Sequence, residues 1–259
     1  MSLPAVSPAW LATGIALADA ARPIARQYFR SRLAIDTKSD LSPVTIADQT
    51  IEAAMRKILA DAHPDHGILG EEHGADRTDA DYVWVLDPID GTRAFICGVP
   101  TFGVLISLCY QGRPIFGIVD HPALGERWIG GIGLPTTWNG EPCHARACTK
   151  LADAYLFATS PDMFKGAQRE AFARLETQVK ERRFGLDCFA AGLIAGGHID
   201  AMVETSLQPY DYCALVPVLE QAGATITDWE GKPLTIHSNG SIIAAATAEL
   251  HGEILAALA

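Results

Sequence analysis

The sequence predicts an α/β protein in which mixed sheets are layered between helices. Three observations carry this. Through the second half of the chain, strand-length apolar runs alternate with longer amphipathic segments. The first half places two amphipathic segments ahead of several strands joined by short turns. The 259 residues, 49% apolar and 20% charged, are enough for one large domain or two small ones with a core that folds unaided.

Ser7-Pro8 reads as an N-cap followed by Pro at the first helical position. Trp10, Leu11, Ile15, Leu17 and Ala18 then recur near helical spacing, and Pro23 is expected to kink or end this helix. Residues 38–44 are polar with a proline and read as a loop. A second helix is expected over about 49–62, with Asp48 at its N-terminus. A short strand over 67–69 leads into Gly70-Glu71-Glu72. Tyr82-Val83-Trp84-Val85-Leu86 reads as a buried strand from its β-branched and aromatic content. Residues 103–110 and 114–119 form two strands joined by a turn at Gln111-Gly112-Arg113, and 126–131 a third. Gly130-Gly131-Ile132-Gly133 is followed by neither a helix nor a lysine, so it is not a P-loop. It lies near the expected division of one continuous unit, 1–259, into subdomains 1–135 and 136–259. Beyond it, 154–159, 201–204, 224–228 and 241–245 read as strands, and 168–179, 188–195, 211–222 and 248–258 as helices.

The formal net charge is -11, from 31 acidic and 20 basic residues. That disfavours non-specific nucleic-acid or anionic-membrane binding, both of which need basic patches. No apolar run reaches transmembrane length, and no positive charge precedes the Ala-rich N-terminus as in a signal peptide. The six Cys include no C-x-x-C pair, so neither a zinc ribbon nor a dithiol redox motif is expected, and a reduced, cytoplasmic protein is.

The chemistry centres on Asp87-Pro88-Ile89-Asp90-Gly91-Thr92, just past the 82–86 strand, where ligands bind in open α/β sheets. Pro88 fixes one backbone angle and Gly91 permits a tight turn, so two carboxylates three residues apart can converge on a hard cation, Mg²⁺ or Mn²⁺. The Gly91 and Thr92 amides are placed to meet a phosphate. Taken alone, Asp-Pro and Asp-Gly are also ordinary turn formers, Asp48 an ordinary helix cap, and Glu71-Glu72 an ordinary surface pair. Together, Asp48, Glu71, Asp87, Asp90 and Asp211 all stand at element ends. Five converging carboxylates repel one another severely, and two or more Mg²⁺ ions resolve that.

The run Trp84-Val85-Leu86-Asp87-Pro88-Ile89-Asp90-Gly91-Thr92 resembles the first signature of the inositol monophosphatase family. Gly70-Glu71-Glu72, Val44-Thr45-Ile46-Ala47-Asp48 and Pro209-Tyr210-Asp211-Tyr212-Cys213-Ala214 resemble further segments of that family, in the same order, over nearly the whole chain. Tyr210 stands where the second signature often has Trp. Residues 93–103, with Gly185-Leu186-Asp187-Cys188 and Val203-Glu204 through Pro209-Tyr210-Asp211, are similar to the histidinol-phosphatase branch, although Cys97 stands where that branch is expected to carry a hydroxyl. The resemblance implies alternating α-β-α-β-α layers, a homodimer and two or three Mg²⁺ per active site. It implies hydrolysis of a small phosphate monoester by metal-activated water, without a covalent intermediate. Glu71, Asp87 and the Ile89 carbonyl would hold the first metal, and Asp87, Asp90 and Asp211 the second. Thr92 and Asp48 would orient the water, Glu71 would help take its proton, Gly91 and Thr92 would steady the phosphoryl group, and Asp187 and Glu204 would meet the leaving group. L-Histidinol phosphate, a histidine-biosynthesis intermediate, is the expected substrate. Inositol phosphate, another sugar or nucleotide phosphate, or a scaffold acting by protein contact are the alternatives.

Overall fold

The computed structural model describes residues 3–31, 35–37 and 43–259, with 35–37 and 43–45 described by backbone alone. Helix α1 (Pro8–Tyr28) is capped by Ser7, whose Oγ accepts from Trp10 N at 3.2 Å. Pro23 does not end it. The one hydrogen bond that proline cannot donate is outweighed by a stripe of buried residues on either side, Leu17, Ala18, Ala21 and Ala25. The expected loop at 38–44 lies largely outside the described residues, but its end forms β2 (Pro43–Thr45), antiparallel to β1 (Ile35–Thr37). Helix α2 (Ile46–Ala62) starts earlier than expected and places Asp48 within its first turn.

Next come β3 (Gly67–Gly70), β4 (Gly74–Asp76), β5 (Tyr82–Asp90), α3 (Thr92–Ile96), β6 (Gly103–Tyr110), β7 (Arg113–His121), β8 (Glu126–Gly131), β9 (Leu134–Trp138) and β10 (Glu141–Pro142). These strands form one sheet in the order β10-β9-β8-β7-β6-β5-β3-β4. A second sheet, in the order β12-β11-β13-β15-β14, comprises β11 (Tyr155–Ala158), β12 (Glu181–Phe184), β13 (Ala201–Glu204), β14 (Thr225–Thr227) and β15 (Ile242–Ala245). Helices α4 (Ala167–Glu176), α5 (Phe189–Ala195), α6 (Pro209–Tyr212), α7 (Leu215–Gln221) and α8 (Ala248–Leu258) complete the chain.

The strand period of two assigns each face to a different core. On β5, Trp84 and Leu86 face α1 and α2 (Leu17, Ala21, Ile51, Met55), whereas Val83 and Val85 face α5 and α7 (Ala191, Ile194, Leu215, Leu219). On β13 and β15, Met202, Ile242 and Ala244 join that central core, while Val203, Ile243 and Ala245 pack on α4 and α8 through Phe172, Leu175, Leu250 and Ile254. The result is five layers, α-β-α-β-α, as expected. Strands β4, β9, β10 and β12 were not foreseen. They lie at or near sheet edges and carry polar residues, as in Glu181-Arg182-Arg183, with little apolar signal to read.

The helix expected over 211–222 is interrupted at Cys213-Ala214, where the backbone keeps helical angles (φ -60°, ψ -36° and φ -68°, ψ -30°) but the hydrogen-bond ladder lapses. Pro217 has no N–H to return to the Cys213 carbonyl, and Ser107 meets that carbonyl instead, its Oγ 3.1 Å from Cys213 O and 2.9 Å from Phe116 O. A side-chain carbon at Gly117 of β7 would collide with the Ala214 carbonyl in the same break. Ser107 and Gly117 therefore seat the α6–α7 junction directly on the large sheet, which places Asp211. Among the described residues, no helix is long and apolar enough to cross a membrane. Gly117→Ala is expected to destabilise the protein by about 1–3 kcal/mol, as overpacking against backbone does. Urea denaturation measures this, and an unchanged midpoint would mean that the junction is not seated there.

A carboxylate cluster at the strand ends

Strands β3 and β5 are parallel, with Gly70 opposite Leu86, so both end at the same level of the sheet. Glu71 follows β3, and its amide donates to Leu86 O at 3.2 Å. That puts Glu71 beside Asp87. Residues three apart on a regular strand point to opposite faces. Here Asp87 pairs with Leu105 and Asp90 with Gly103, so β5 carries one extra residue between the two acids. This bulge, at the Pro88-Ile89 step where a missing ladder N–H is tolerated, brings Asp90 to the side of Asp87.

Asp211 arrives from α6, whose first turn is closed by reciprocal capping: Gln208 N donates to Asp211 Oδ2 at 2.7 Å. Asp87, Asp90 and Asp211 each bring a carboxylate oxygen to within 4.8 Å of the others. Burial pushes the Asp87 carboxyl well above its ordinary pKa, and the charges of Glu71, Asp90, Asp211 and Asp48 push it further, in that order. All five acids singled out in the sequence thus act on one point. The Asp211 carboxyl is likewise raised well above its ordinary value, by burial and then by Asp90. Asp90 is raised by burial, opposed by hydrogen bonds from the Cys188 thiol and amide and the Gly91 amide. Asp87 Oδ1 is buried and accepts no hydrogen bond. Converging hard oxygens with an unsatisfied buried acceptor fit a divalent cation of the Mg²⁺ kind, which prefers carboxylates and water.

Gly91 adopts a left-handed backbone, φ 77°, as N-cap of α3. The Thr92 hydroxyl donates to Ile89 O at 3.1 Å, which leaves its lone pairs open to a donor. Asp48 is buried at the start of α2. Beside the cluster opens a cavity of about 120 Å³, lined by Asp90, Asp187, Glu204 and Asp211 together with Met163 and Leu207. Glu204, the last residue of β13, is buried, and its Oε1 accepts from Thr159 N at 2.9 Å and Thr159 Oγ1 at 2.7 Å. Burial holds its pKa at about 8, with Asp90 and Asp187 adding to the rise and Thr159 opposing it. The Asp187 carboxyl is raised to about 7 by burial and then by Asp90, against Arg93. Asp187 lies against Gly91, where a side-chain carbon would come within 2.9 Å of its Oδ2.

Two contributors were missed. The Cys188 amide donates to Asp90 Oδ2 at 2.8 Å, and Gly103 makes room for it, since a side-chain carbon there would stand 2.5 Å from Cys188 Sγ. Ninety-eight residues separate the pair, and no local pattern announces it. Thr159 could have been found: it follows β11, which runs parallel to β13, so it shares the strand-end level with Glu204. All six cysteines are free thiols.

The profile of the Inositol monophosphatase family matches residues 9–259. "Bifunctional phosphatase IMPL2, chloroplastic" of Arabidopsis thaliana is 48% identical, over 95% of this chain and 74% of that protein. A histidinol-phosphatase of Mycobacterium tuberculosis is 35% identical, over 96% of this chain and 97% of that one. The solved structure of an inositol monophosphatase from Zymomonas mobilis superposes with a TM-score of 0.89, at 45% identity and 96% coverage of both chains.

The Glu204 carboxyl generates a pH prediction. Below its ordinary value of 4.5 both folded and unfolded states hold the proton. Between 4.5 and about 8 the unfolded chain releases it and the folded protein keeps it, so stability falls as pH rises through that window. Glu204→Gln cannot ionise. In EDTA, the melting temperature of this variant relative to wild type should rise steadily from pH 5 to pH 8, and a difference independent of pH would contradict the buried, protonated carboxyl.

Proposed function

The chain belongs to the inositol monophosphatase family, and from that premise we propose that it is a Mg²⁺-dependent phosphate monoester hydrolase acting on L-histidinol phosphate. The observation that carries the substrate is the pair of carboxylates, Asp187 and Glu204, in one small cavity with Asp90 and Asp211. Phosphate esters of uncharged polyols bring no positive charge to such a pair. The leaving group of histidinol phosphate brings an ammonium and an imidazole; a positive charge beside the pair favours loss of the protons that burial retains and gives charge-assisted hydrogen bonds to the carboxylates so ionised. The names of the relatives support both histidinol phosphate and inositol phosphate. The raised Asp187 and Glu204 values favour the second reading to one extent: neutral carboxyls can also donate to hydroxyls.

Glu71, Asp87 and the Ile89 carbonyl are assigned to one metal ion, and Asp87, Asp90 and Asp211 to a second. Such ions acidify a water and offset the charge that develops on the transferring phosphoryl group and leaving oxygen. The protein's own groups do the rest. Thr92, its hydroxyl proton committed to Ile89 O, accepts one hydrogen bond from the attacking water, and Asp48 and Glu71 share the water's second hydrogen, Asp48 orienting it. Glu71 takes the proton. The Thr92 amide steadies the phosphoryl oxygens, with the Gly91 amide shared between them and Asp90. Asp187 and Glu204 orient the leaving group, whose oxygen takes a proton from solvent water to depart as the alcohol, while Glu71 gives its proton back to solvent. The water attacks directly, so Cys188, buried beside the cluster, has no nucleophilic role. The assembly proposed is a homodimer, with Asp187 and Glu204 supplied by the same chain as the metal ligands.

The test compares kcat/KM for histidinol phosphate and inositol 1-phosphate, then repeats it in Glu204→Gln. Histidinol phosphate should be preferred. The variant should lose about 10-fold or more on it, the scale of a charge-assisted hydrogen bond, and less on inositol 1-phosphate. Preference for inositol 1-phosphate, or equal loss on both, would refute cation recognition.

A further inference from the structure

Glu52 is a fully buried carboxylate outside the five-acid cluster, and nothing in the chemistry above employs it. It sits one helical turn beyond Asp48 on α2, with Arg56 one turn further, so the three residues line one face of the helix. Glu52 Oε2 accepts from Glu72 N at 2.7 Å, and Oε1 accepts from His73 N at 3.1 Å and Arg56 Nε at 2.7 Å. The His73 ring stands 3.4 Å from the same oxygen. Arg56 also donates to the Gly74 carbonyl. A side-chain carbon at Gly70 would collide with the Glu52 carboxylate, so the glycine makes room for it. The helix therefore grips the whole β3–β4 turn, from Gly70 to Gly74, through one carboxylate and one guanidinium.

That turn carries Glu71. The peptide before Glu71 is held by the hydrogen bond that the Glu71 amide donates to Leu86 O, and the peptide after it by the one that the Glu72 amide donates to Glu52 Oε2. Both soft backbone angles of Glu71 are thereby restrained, and with them the direction in which its side chain leaves the backbone. A turn that needed only to be stable could close on water or on a neutral side chain, without the cost of burying a charge. We infer that Glu52 is a positioning residue for Glu71: by fixing the turn, it aims the Glu71 carboxylate at Asp87 and sets the affinity of the site for its divalent cation. The inference rests on the reading of Glu71 as a metal ligand.

The test is calorimetric titration of Mg²⁺ into wild type, Glu52→Gln and Arg56→Met, alongside melting in EDTA. Glu52→Gln keeps the shape but replaces one acceptor oxygen with a donor facing backbone amides. Its Mg²⁺ Kd should rise about tenfold, as loss of an orienting partner behind a metal ligand does. Arg56→Met should move Kd the same way by a smaller factor, and KM at saturating Mg²⁺ should stay near wild type for both. Unchanged Mg²⁺ affinity with a lower melting temperature would mean a merely structural role and overturn the inference. Should Glu52→Gln not fold, Arg56→Met decides by the same criterion. Wild type that bound no Mg²⁺ would refute the metal reading itself, and this inference with it, whereas binding by wild type with unchanged variants would refute this inference alone.

Discussion

Mutual repulsion among carboxylates held at one point is the constraint around which this molecule is built. Asp87 sits at the centre, buried, with four further acids raising its pKa. Such an arrangement persists only because elements on several sides over-determine it. The β5 bulge turns Asp90 inward, the parallel end of β3 delivers Glu71, α2 brings Asp48, and the capped turn of α6 presents Asp211. The stability for this comes from elsewhere, in the three apolar cores that clamp both sheets. A divalent cation bound there would convert the repulsion into binding energy, and binding to the native state alone would add stability by mass action.

The two sheets divide the work. The large sheet and the helices seated on it hold all five acids, and the strand ends of the smaller sheet supply Thr159 and Glu204. Cys188 and Asp187 bridge the two groups. The Cys188 amide holds Asp90, and Asp187 rests on Gly91. The two carboxylates proposed to meet the leaving group are thus mechanically joined to the five-acid cluster. The same logic extends outward on the other side, where Glu52 and Arg56 tie the Glu71 turn to α2.

Much of this was readable in the sequence, and for local reasons. The 82–86 run announces a buried strand, and a proline and a glycine among the acids just past it announce a rigid turn; β5 instead continues through Asp90, with the bulge taking the place of the turn. Helix α1 follows from its cap and its periodicity, and β8, β13 and α8 match their expected spans. The failures are of a different kind. Pro23 does not break α1, because a buried stripe outweighs one lost hydrogen bond. Pro217 does break the 211–222 segment, because Ser107 stands ready to take the freed carbonyl. Both segments carry one internal proline, and tertiary context decides what it does. Cys188 and Glu52 act through contacts that no local spacing marks as functional. The edge strands carry too little apolar pattern to register.

The central claim is that the carboxylate cluster is a metal-dependent hydrolytic centre. It is tested most directly by measuring inorganic phosphate released from histidinol phosphate in Mg²⁺ and in EDTA, for wild type and for an Asp87→Asn variant whose fold is verified by circular dichroism. The account predicts turnover by wild type in Mg²⁺ only, and a loss of about a hundredfold or more in the folded variant, since the residue assigned to both metal ions has lost its charge. Near wild-type turnover by folded Asp87→Asn, or turnover by wild type that survives EDTA, would contradict it.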